Sequence, residues 1–482
     1  MNKRIVLYIL GWILIVEGAA MQLPALVGLI YCEKNGLYFL FIGIALVLLG
    51  LLIVIKKPKK MNMYQKEGFI STALSWLVLS VAGSLPFFLS GEIPHFEDAF
   101  FETVSGFTTT GASALTQVEN LSHCMNFWRC FSIWLGGMGV LVFLLAIIPK
   151  VGGQQNMYLM KAESPGPIFG KVTPKIRDYA AILYTIYFGL TVLEFILLVC
   201  GGMEIFDAIN VSLSTAGTGG FGIRNAGIAA YDSYYLQAVI TIFMLLFGIN
   251  FSFYLLILAR KFKQAMHITE VWVYLGIIAA STIAITINIS SMFPSLYDSF
   301  HQSIFYVTSI LTTTGFSITD GNQLPEFSKS VILIITFIGA CAGSTGGGFK
   351  ISRIILLLKE VKKELSLIVH PHTVHAVKMD GKRITHETLR SVSVFFVIYV
   401  VLFFAAFLVI SFDNFDFMTN FTAVAATINN TGPGFSLVGT TGNYAAFSPL
   451  SKYVLSFTMI AGRLELFPIL LLFFPAAWKK NG

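Results

Sequence analysis

From Ala181 to Cys200 the chain runs for twenty residues in which Glu194 is the one charged side chain, and Leu37–Ile55 carries none at all. About 20 apolar residues cross the hydrocarbon core of a bilayer. Such stretches recur along the whole length of 482 residues, so that only 12% of them are charged and the mean hydropathy is +0.77. A soluble domain has about twice that charge fraction. The chain is expected to be an all-α integral membrane protein that crosses the bilayer many times.

Asn2-Lys3-Arg4 followed by an apolar run from Ile5 has the outline of a signal peptide. The run outlasts a signal core and lacks a small-residue cleavage site, so it reads as a retained first helix, paired with a second over Leu37–Ile55. Lys and Arg cluster in Lys56–Lys66, Lys150–Arg177, Arg260–Lys263, Lys350–Arg390 and Lys479-Lys480. The positive-inside rule places these segments and both termini in the cytoplasm. Topology thereby accounts for the formal charge of +7 without a nucleic-acid partner. The five cysteines show no CxxC spacing and indicate no metal site. Cys124 and Cys130 are the pair that could face the oxidising side.

Beyond the two N-terminal helices one pattern occurs four times: a long apolar helix, a short segment ending near a glycine, a polar stretch and a second long helix. The first helices are expected near 67–91, 177–201, 269–289 and 389–412, and the second near 127–148, 234–259, 329–362 and 450–477. The short segments Phe96–Phe107, Ile205–Thr215, Tyr297–Leu311 and Phe415–Ile428 have the length of re-entrant pieces. Broken backbone at membrane depth is tolerated only inside protein or beside a watery cavity. The expected organisation is an N-terminal pair (1–60) and four pseudo-symmetric helix–pore loop–helix repeats (61–160, 161–265, 266–365, 366–482) around one pore.

The four short segments end in Thr108-Thr109-Thr110-Gly111, Thr218-Gly219-Gly220-Phe221, Thr312-Thr313-Thr314-Gly315-Phe316 and Asn429-Asn430-Thr431-Gly432-Pro433. Aligned by a hydroxyl residue immediately before glycine, the equivalent glycines are Gly111, Gly219, Gly315 and Gly432. Glycine permits the dihedrals that turn successive carbonyls toward one axis. Converging carbonyls can replace the hydration shell of a cation, as in potassium filters, and the preceding helix aims its negative end at the same place. One such ending alone would be an ordinary helix stop. Four after short helices read as a filter made of Thr109, Thr110, Gly111, Thr218, Gly219, Thr313, Thr314, Gly315, Asn430, Thr431 and Gly432, with K+ as the bound and transported ion. Acids precede the short helices (Glu97, Asp98, Glu204, Asp207, Asp298, Asp413, Asp416). Helix capping explains them better than cation attraction, although both readings stand.

The helix after the third loop is interrupted by Gly343-Ser344-Thr345-Gly346-Gly347-Gly348. Glycine costs about 1 kcal/mol relative to Ala in a helix interior, so three in a row mark a break. Counted from Lys329, the break lies about 21–28 Å into the membrane, and Arg463, counted from Leu450, lies about 20 Å in. An intramembrane arginine faces a cavity or a partner. The expectation is a glycine loop crossing the path beneath the filter, held by Arg463. The plainer alternatives are a passive kink, and an Arg463 paired with Glu465 or Glu194.

At these residues the sequence resembles the TrkH-type potassium uptake proteins of the Trk/Ktr/HKT superfamily. The matching strings are Phe101–Gly111, Trp134-Leu135-Gly136-Gly137-Met138-Gly139, Thr215–Phe221, Ile310–Phe316, Cys341–Gly348, Asn429–Gly434 and Gly462-Arg463-Leu464-Glu465. The two leading helices look like TrkH rather than the shorter KtrB type. The resemblance implies four filter glycines, an intramembrane gating loop at Gly343–Gly348 and an inhibitory Arg463. It also implies a homodimer in a bacterial cytoplasmic membrane, and a cytosolic TrkA-like regulatory subunit through which alone a nucleotide acts. Sodium-permeable relatives carry serine at the first filter position, so Gly111 favours potassium. Ala216-Gly217 before Thr218 departs from the usual pattern, where bulkier residues are common.

An enzyme would call for mid-membrane histidines or a nucleophile–base set. The eight histidines (His95, His123, His267, His301, His370, His372, His375, His386) fall in loops or near helix ends, and Gly343–Gly348 lacks the Walker lysine spacing. His370, His372 and His375 could bind a metal but read better as a solvated loop. A proton- or sodium-coupled symporter remains open, with Glu17, Glu194 and Glu465 as the intramembrane acids it would use.

Overall fold

The structure, a computed structural model, describes residues 2–58, 64–139, 176–371 and 375–479. Among the described residues it is helical apart from one two-stranded hairpin. Six stretches of the described residues are long and apolar enough to cross a membrane (Lys3–Ile30, Gly36–Ile55, Gln65–Ser90, Asp178–Cys200, Thr269–Ile289, His386–Asp413), and a seventh exists if a sharply bent pair is one span.

The N-terminal unit comprises α1 (Lys3–Ala20), its continuation α2 (Gln22–Ile30) and α3 (Gly36–Ile55). Two glycines on each long helix set their contact. A Cβ at Gly11 would sit 3.1 Å from the Gly50 carbonyl, and one at Gly18 would collide with the Gly43 carbonyl. Small residues at such spacing let two backbones meet inside a membrane, where apolar surface alone offers no driving force.

The rest of the chain forms four units. The first is α4 (Gln65–Ser90), the short α5 (Phe96–Phe107) and α6 (His123–Gly137). The second is α7 (Ile176–Cys200), short α8 (Ile205–Ala216), α9 (Tyr234–Gly248) and α10 (Phe251–Leu258), followed by a turn of helix, α11 (Phe262–Met266). The third is α12 (Thr269–Ile289), short α13 (Leu296–Leu311), α14 (Glu326–Ile338) and α15 (Ile351–Val369). The fourth follows the hairpin of β1 (Lys378–Met379) and β2 (Lys382–Arg383). It contains α16 (His386–Ile410), short α17 (Phe417–Ile428), α18 (Pro449–Arg463), α19 (Phe467–Leu472) and α20 (Pro475–Trp478). In each unit the short helix packs against the long helix on either side of it. Between units the contact is cyclic: α6 packs on α8, α9 on α13, α14 on α17, and α18 back on α5.

The second helices depart in detail from the expected spans, of which the third alone is expected to be broken. The segment expected over 127–148 begins earlier, at His123, and 140–148 lies outside the described residues. The 234–259 segment bends by 88° between Gly248 and Phe251. There the Phe251 amide donates to the Gly343 carbonyl at 2.9 Å, and the Asn250 side chain caps Ser252. The break in the third unit spans 339–350, longer than the glycine run itself. It is shaped by left-handed backbone at Gly339, Gly343, Gly348 and Lys350. In the fourth unit α18 stops at Arg463, because Glu465 and Leu466 both take positive φ.

Candidate functional site

Two of the short helices start with side-chain caps, and all four finish in one shared way. Asp416 accepts from the Thr419 amide at 3.0 Å, and Ser295 from the Asp298 amide at 3.1 Å. At the other end the amides of Thr109 and Thr110 donate to the carbonyls of Gly106 and Ser105. The same two bonds run from Thr218 and Gly219 to Thr215 and Ser214, from Thr313 and Thr314 to Ile310 and Ser309, and from Asn430 and Thr431 to Thr427 and Ala426. This is a Schellman ending, which glycine ordinarily occupies because its turn residue is left-handed. Here the turn residues are Thr109, Thr218, Thr313 and Asn430, with φ of 55°, 54°, 59° and 55°. An L-residue pays about 1–2 kcal/mol for that conformation, so the surroundings must hold it. All four are fully buried.

Two residues further on, positive φ returns at Gly111, Gly220, Gly315 and Gly432. The second loop is therefore in a different register from the one the hydroxyl-before-glycine alignment implies. Gly219 stands where Thr110, Thr314 and Thr431 stand, and Gly220 is the equivalent glycine. The adjacent glycines made the alignment ambiguous, and the aromatic residue after them, Phe221 matching Phe316, carried the signal that resolves it. Gly217 occupies the place of Thr108, Thr312 and Asn429. A Cβ there would press on Ile133 of α6, and one at Gly137 would lie 2.7 Å from the Gly217 Cα. That contact explains why Gly217 stands there.

The four loops meet in a closed ring. A Cβ on Gly111 would collide with the Gly219 carbonyl, on Gly220 with that of Thr314, on Gly315 with that of Thr431, and on Gly432 would come 2.5 Å from that of Thr110. The fourth loop has two peculiarities. The Gly432 carbonyl accepts from the Tyr444 hydroxyl at 2.8 Å, and Asn430 Nδ2 bridges to Thr110 Oγ1 at 3.0 Å and the Met459 carbonyl at 2.9 Å.

The glycine segment lies directly against loops three and four. The Gly347 amide donates to Thr313 Oγ1 at 2.6 Å. A Cβ at Gly346 would come 2.9 Å from the Thr312 carbonyl, and one at Gly347 2.5 Å from that of Asn429. Arg463 reaches the same segment. Its Nη1 donates to the Thr345 carbonyl at 2.7 Å, and its Nη2 to the carbonyls of Gly136 and Gly137 at 2.5 and 2.6 Å. Gly136 and Gly137 end α6, where carbonyls run out of helical donors, although that of Gly136 also accepts from the Gly139 amide at 3.1 Å. Lys350 Nζ donates to the Gly346 carbonyl. Glu465 pairs with Arg353, whose guanidinium lies 4.2 Å over the Phe395 ring. The structure thus brings Gly343–Gly348, Arg463 and two of the four loops together, and gives Glu465 a different partner.

Sequence reasoning assigned no role to a buried pair behind loops one and two. Glu102 on α5 and Arg129 on α6 are 2.7 Å apart and both almost wholly buried. Glu102 also accepts from Ser113 Oγ and the Ala114 amide, just beyond Gly111. Arg129 donates to the Gly222 carbonyl at 3.1 Å, just beyond Gly220, and lies 4.3 Å over the Phe221 ring. The signal was available: an arginine inside an apolar run calls for a partner.

Several acids at the starts of the short helices have polar partners. Asp98 pairs with Lys452, Asp207 with Arg224 and Tyr231, and Asp413 accepts from the Ser448 amide. Among the coupling acids, Glu17 and Glu194 are buried on α1 and α7, which pack against different helices. His372 lies outside the described residues, and all five cysteines are free thiols.

The TrkH cation transport protein family matches residues 37–280 and 266–480. Trk system potassium uptake protein TrkH of Salmonella typhimurium is 37% identical, with both chains covered completely. Trk system potassium uptake protein TrkG of Escherichia coli is 31% identical over 99% of each chain. The crystal structure of the potassium transporter TrkH from Vibrio parahaemolyticus superimposes with a TM-score of 0.87 at 32% identity, over 99% of this chain and all of that one. These relatives are named as transporters, not enzymes, and this multi-pass membrane protein belongs to the TrkH family of cation transport proteins.

Proposed function

We propose that this chain takes up potassium across the bacterial inner membrane through one path at the centre of the four loops. The observation that carries the reading is the closed ring, in which each loop's glycine abuts a carbonyl of the next loop. Every loop enters it through the same left-handed turn. Backbone carbonyls held at such close quarters can substitute for the water around a dehydrated cation. The four short helices direct their partial negative ends to the same place. The filter then consists of Thr109–Gly111, Thr218–Gly220, Thr313–Gly315 and Asn430–Gly432, one loop from each repeat.

The glycine segment is the gate beneath it. Its contacts with Thr313 and Asn429 seat it under the ring, and Arg463 fastens it to the end of α6. The guanidinium also places a fixed positive charge beside the path, which opposes a cation until the segment moves. The basic segments, including exposed Lys382 and Arg383, suit a cytosolic TrkA-like nucleotide-binding subunit and support a cytoplasmic side for both termini. The family likeness supports pairing as a homodimer.

The test is potassium flux into proteoliposomes holding this protein alone, with sodium as competitor and Gly315→Ser in parallel. Preferential potassium entry that the substitution opens to sodium supports the filter. Transport with unaltered preference in Gly315→Ser would mean that the ring does not select.

A further inference from the structure

We infer that Asp380 and Glu270 form a positioning relay that ties the hairpin at 378–383 to both ends of the glycine segment. This rests on the reading of that segment as the gate.

The hairpin pairs Lys378 with Arg383 and Met379 with Lys382. Asp380 and Gly381 turn it with φ of 48° and 76°, as a tight two-residue turn requires. Asp380 Oδ1 accepts from the Thr269 amide at 2.9 Å and the Thr269 hydroxyl at 2.7 Å. It thereby caps the first turn of α12 from 111 residues away in sequence. The next residue, Glu270, is 1% exposed. Its Oε1 accepts from the Ala342 amide at 2.7 Å and the Ser352 amide at 3.0 Å. Those two amides bracket the glycine segment, so one oxygen holds its entrance and its exit together.

A carboxylate is costly to bury unless donors satisfy it, and backbone amides do so here. The hairpin cannot shift without moving α12 and α15. Met379 is buried in the cluster of Val271, Ile351 and Ile355, and Lys359 Nζ donates to the Lys378 carbonyl at 2.8 Å. Lys382 and Arg383 remain exposed at the tip, where an acidic surface can pull on the device. Glu270 therefore positions the segment while Arg463 and Thr313 hold its middle.

The experiment measures basal potassium flux in proteoliposomes for Asp380→Ala, Asp380→Asn, Glu270→Ala, the double alanine variant and Arg463→Ala. Loss of charge-assisted hydrogen bonds of this kind corresponds to about a tenfold rise for each single alanine variant. The double variant should rise no further than Glu270→Ala, and Asp380→Asn, which keeps an acceptor oxygen, should stay near the parent. If Arg463→Ala raises flux but Asp380→Ala does not, or its effect multiplies fully with that of Glu270→Ala, the relay is wrong and the gate stands. If Arg463→Ala changes nothing, the gate reading fails. Hydrogen exchange then judges the relay on its own. Faster exchange in peptides covering Ala342 and Ser352 in Asp380→Ala, or in Thr269→Val should the first variant not assemble, supports it, and unchanged exchange overturns it.

Discussion

Gly219 and Gly220 offer a sharp test, because adjacent residues of one type are assigned different roles. At Gly220 an added methyl meets two penalties. Its φ of 63° costs an L-residue about 1–2 kcal/mol. The Cβ would also overlap the Thr314 carbonyl oxygen and lie 2.9 Å from its carbon, so the backbone of the neighbouring loop has to move. At Gly219 the Cβ meets Ile133 Cγ2 at 2.7 Å and Cδ1 at 2.9 Å. Those are side-chain atoms, and overpacking of that sort costs about 1–3 kcal/mol with most of the relief taken by a rotamer change. Gly220→Ala is therefore expected to displace the Thr314 carbonyl and cut the potassium-over-sodium preference by about tenfold or more, equivalent to about 1.4 kcal/mol. Gly219→Ala should lower thermal stability modestly and keep the preference. Competitive flux in proteoliposomes, with melting temperatures alongside, reads both. A selective Gly220→Ala beside an unselective Gly219→Ala would refute the register and the ring argument built on it.

Three further outcomes follow from the same geometry. Arg463→Ala removes donors to three carbonyls and should raise basal potassium flux by about tenfold or more; flux equal to the parent's in a correctly assembled protein counts against the gate. Glu102→Gln leaves Arg129 buried without its charge partner and should cost about 3–5 kcal/mol, whereas replacing both members with apolar residues of similar volume should cost much less; detergent-solubilised thermal unfolding distinguishes the two. Asp416 caps α17, and hydrogen bonds from the Thr419 hydroxyl and amide hold its carboxyl below the usual carboxylate range. Its stabilisation is thus present above the unfolded value of about 4 and is lost as pH falls through the lower folded value. The stability gap between the parent and Asp416→Ala should be constant near neutrality and close only in acid.

Much of this was legible in the chain because membrane spans and glycines leave strong local signals. The short helices α5, α8, α13 and α17 were found almost to the residue, since each is an apolar segment too brief to cross a bilayer and ends at a glycine turn. Gly343–Gly348 and Arg463 were likewise conspicuous as residues that an apolar helix does not tolerate. What escaped depends on contacts between distant segments. The bend at Gly248–Phe251 has a local signal in Gly248 and the capping Asn250, but the Gly343 carbonyl that also holds it comes from another unit. Glu102 and Arg129 are 27 residues apart, and their pairing follows only from how α5 packs on α6. Glu270 stands in the first turn of α12, where the helix dipole alone would account for an acid, so nothing in the sequence singles it out. Its real partners belong to the broken helix of the same unit. The register of the second loop was missed for a different reason: two glycines satisfied the same rule, and only backbone conformation separates them.

The central claim is that one path, ringed by four unequal loops, selects potassium over sodium. The measurement that tests it most directly is the reversal potential across a planar bilayer containing the protein, with potassium on one side and sodium on the other, for the parent and for serine substitutions at Gly111, Gly220, Gly315 and Gly432 in turn. A single shared path predicts a potential near that of potassium in the parent, displaced toward zero by each of the four substitutions. A parent potential near zero, or one that shifts with only a single loop's substitution, would contradict it.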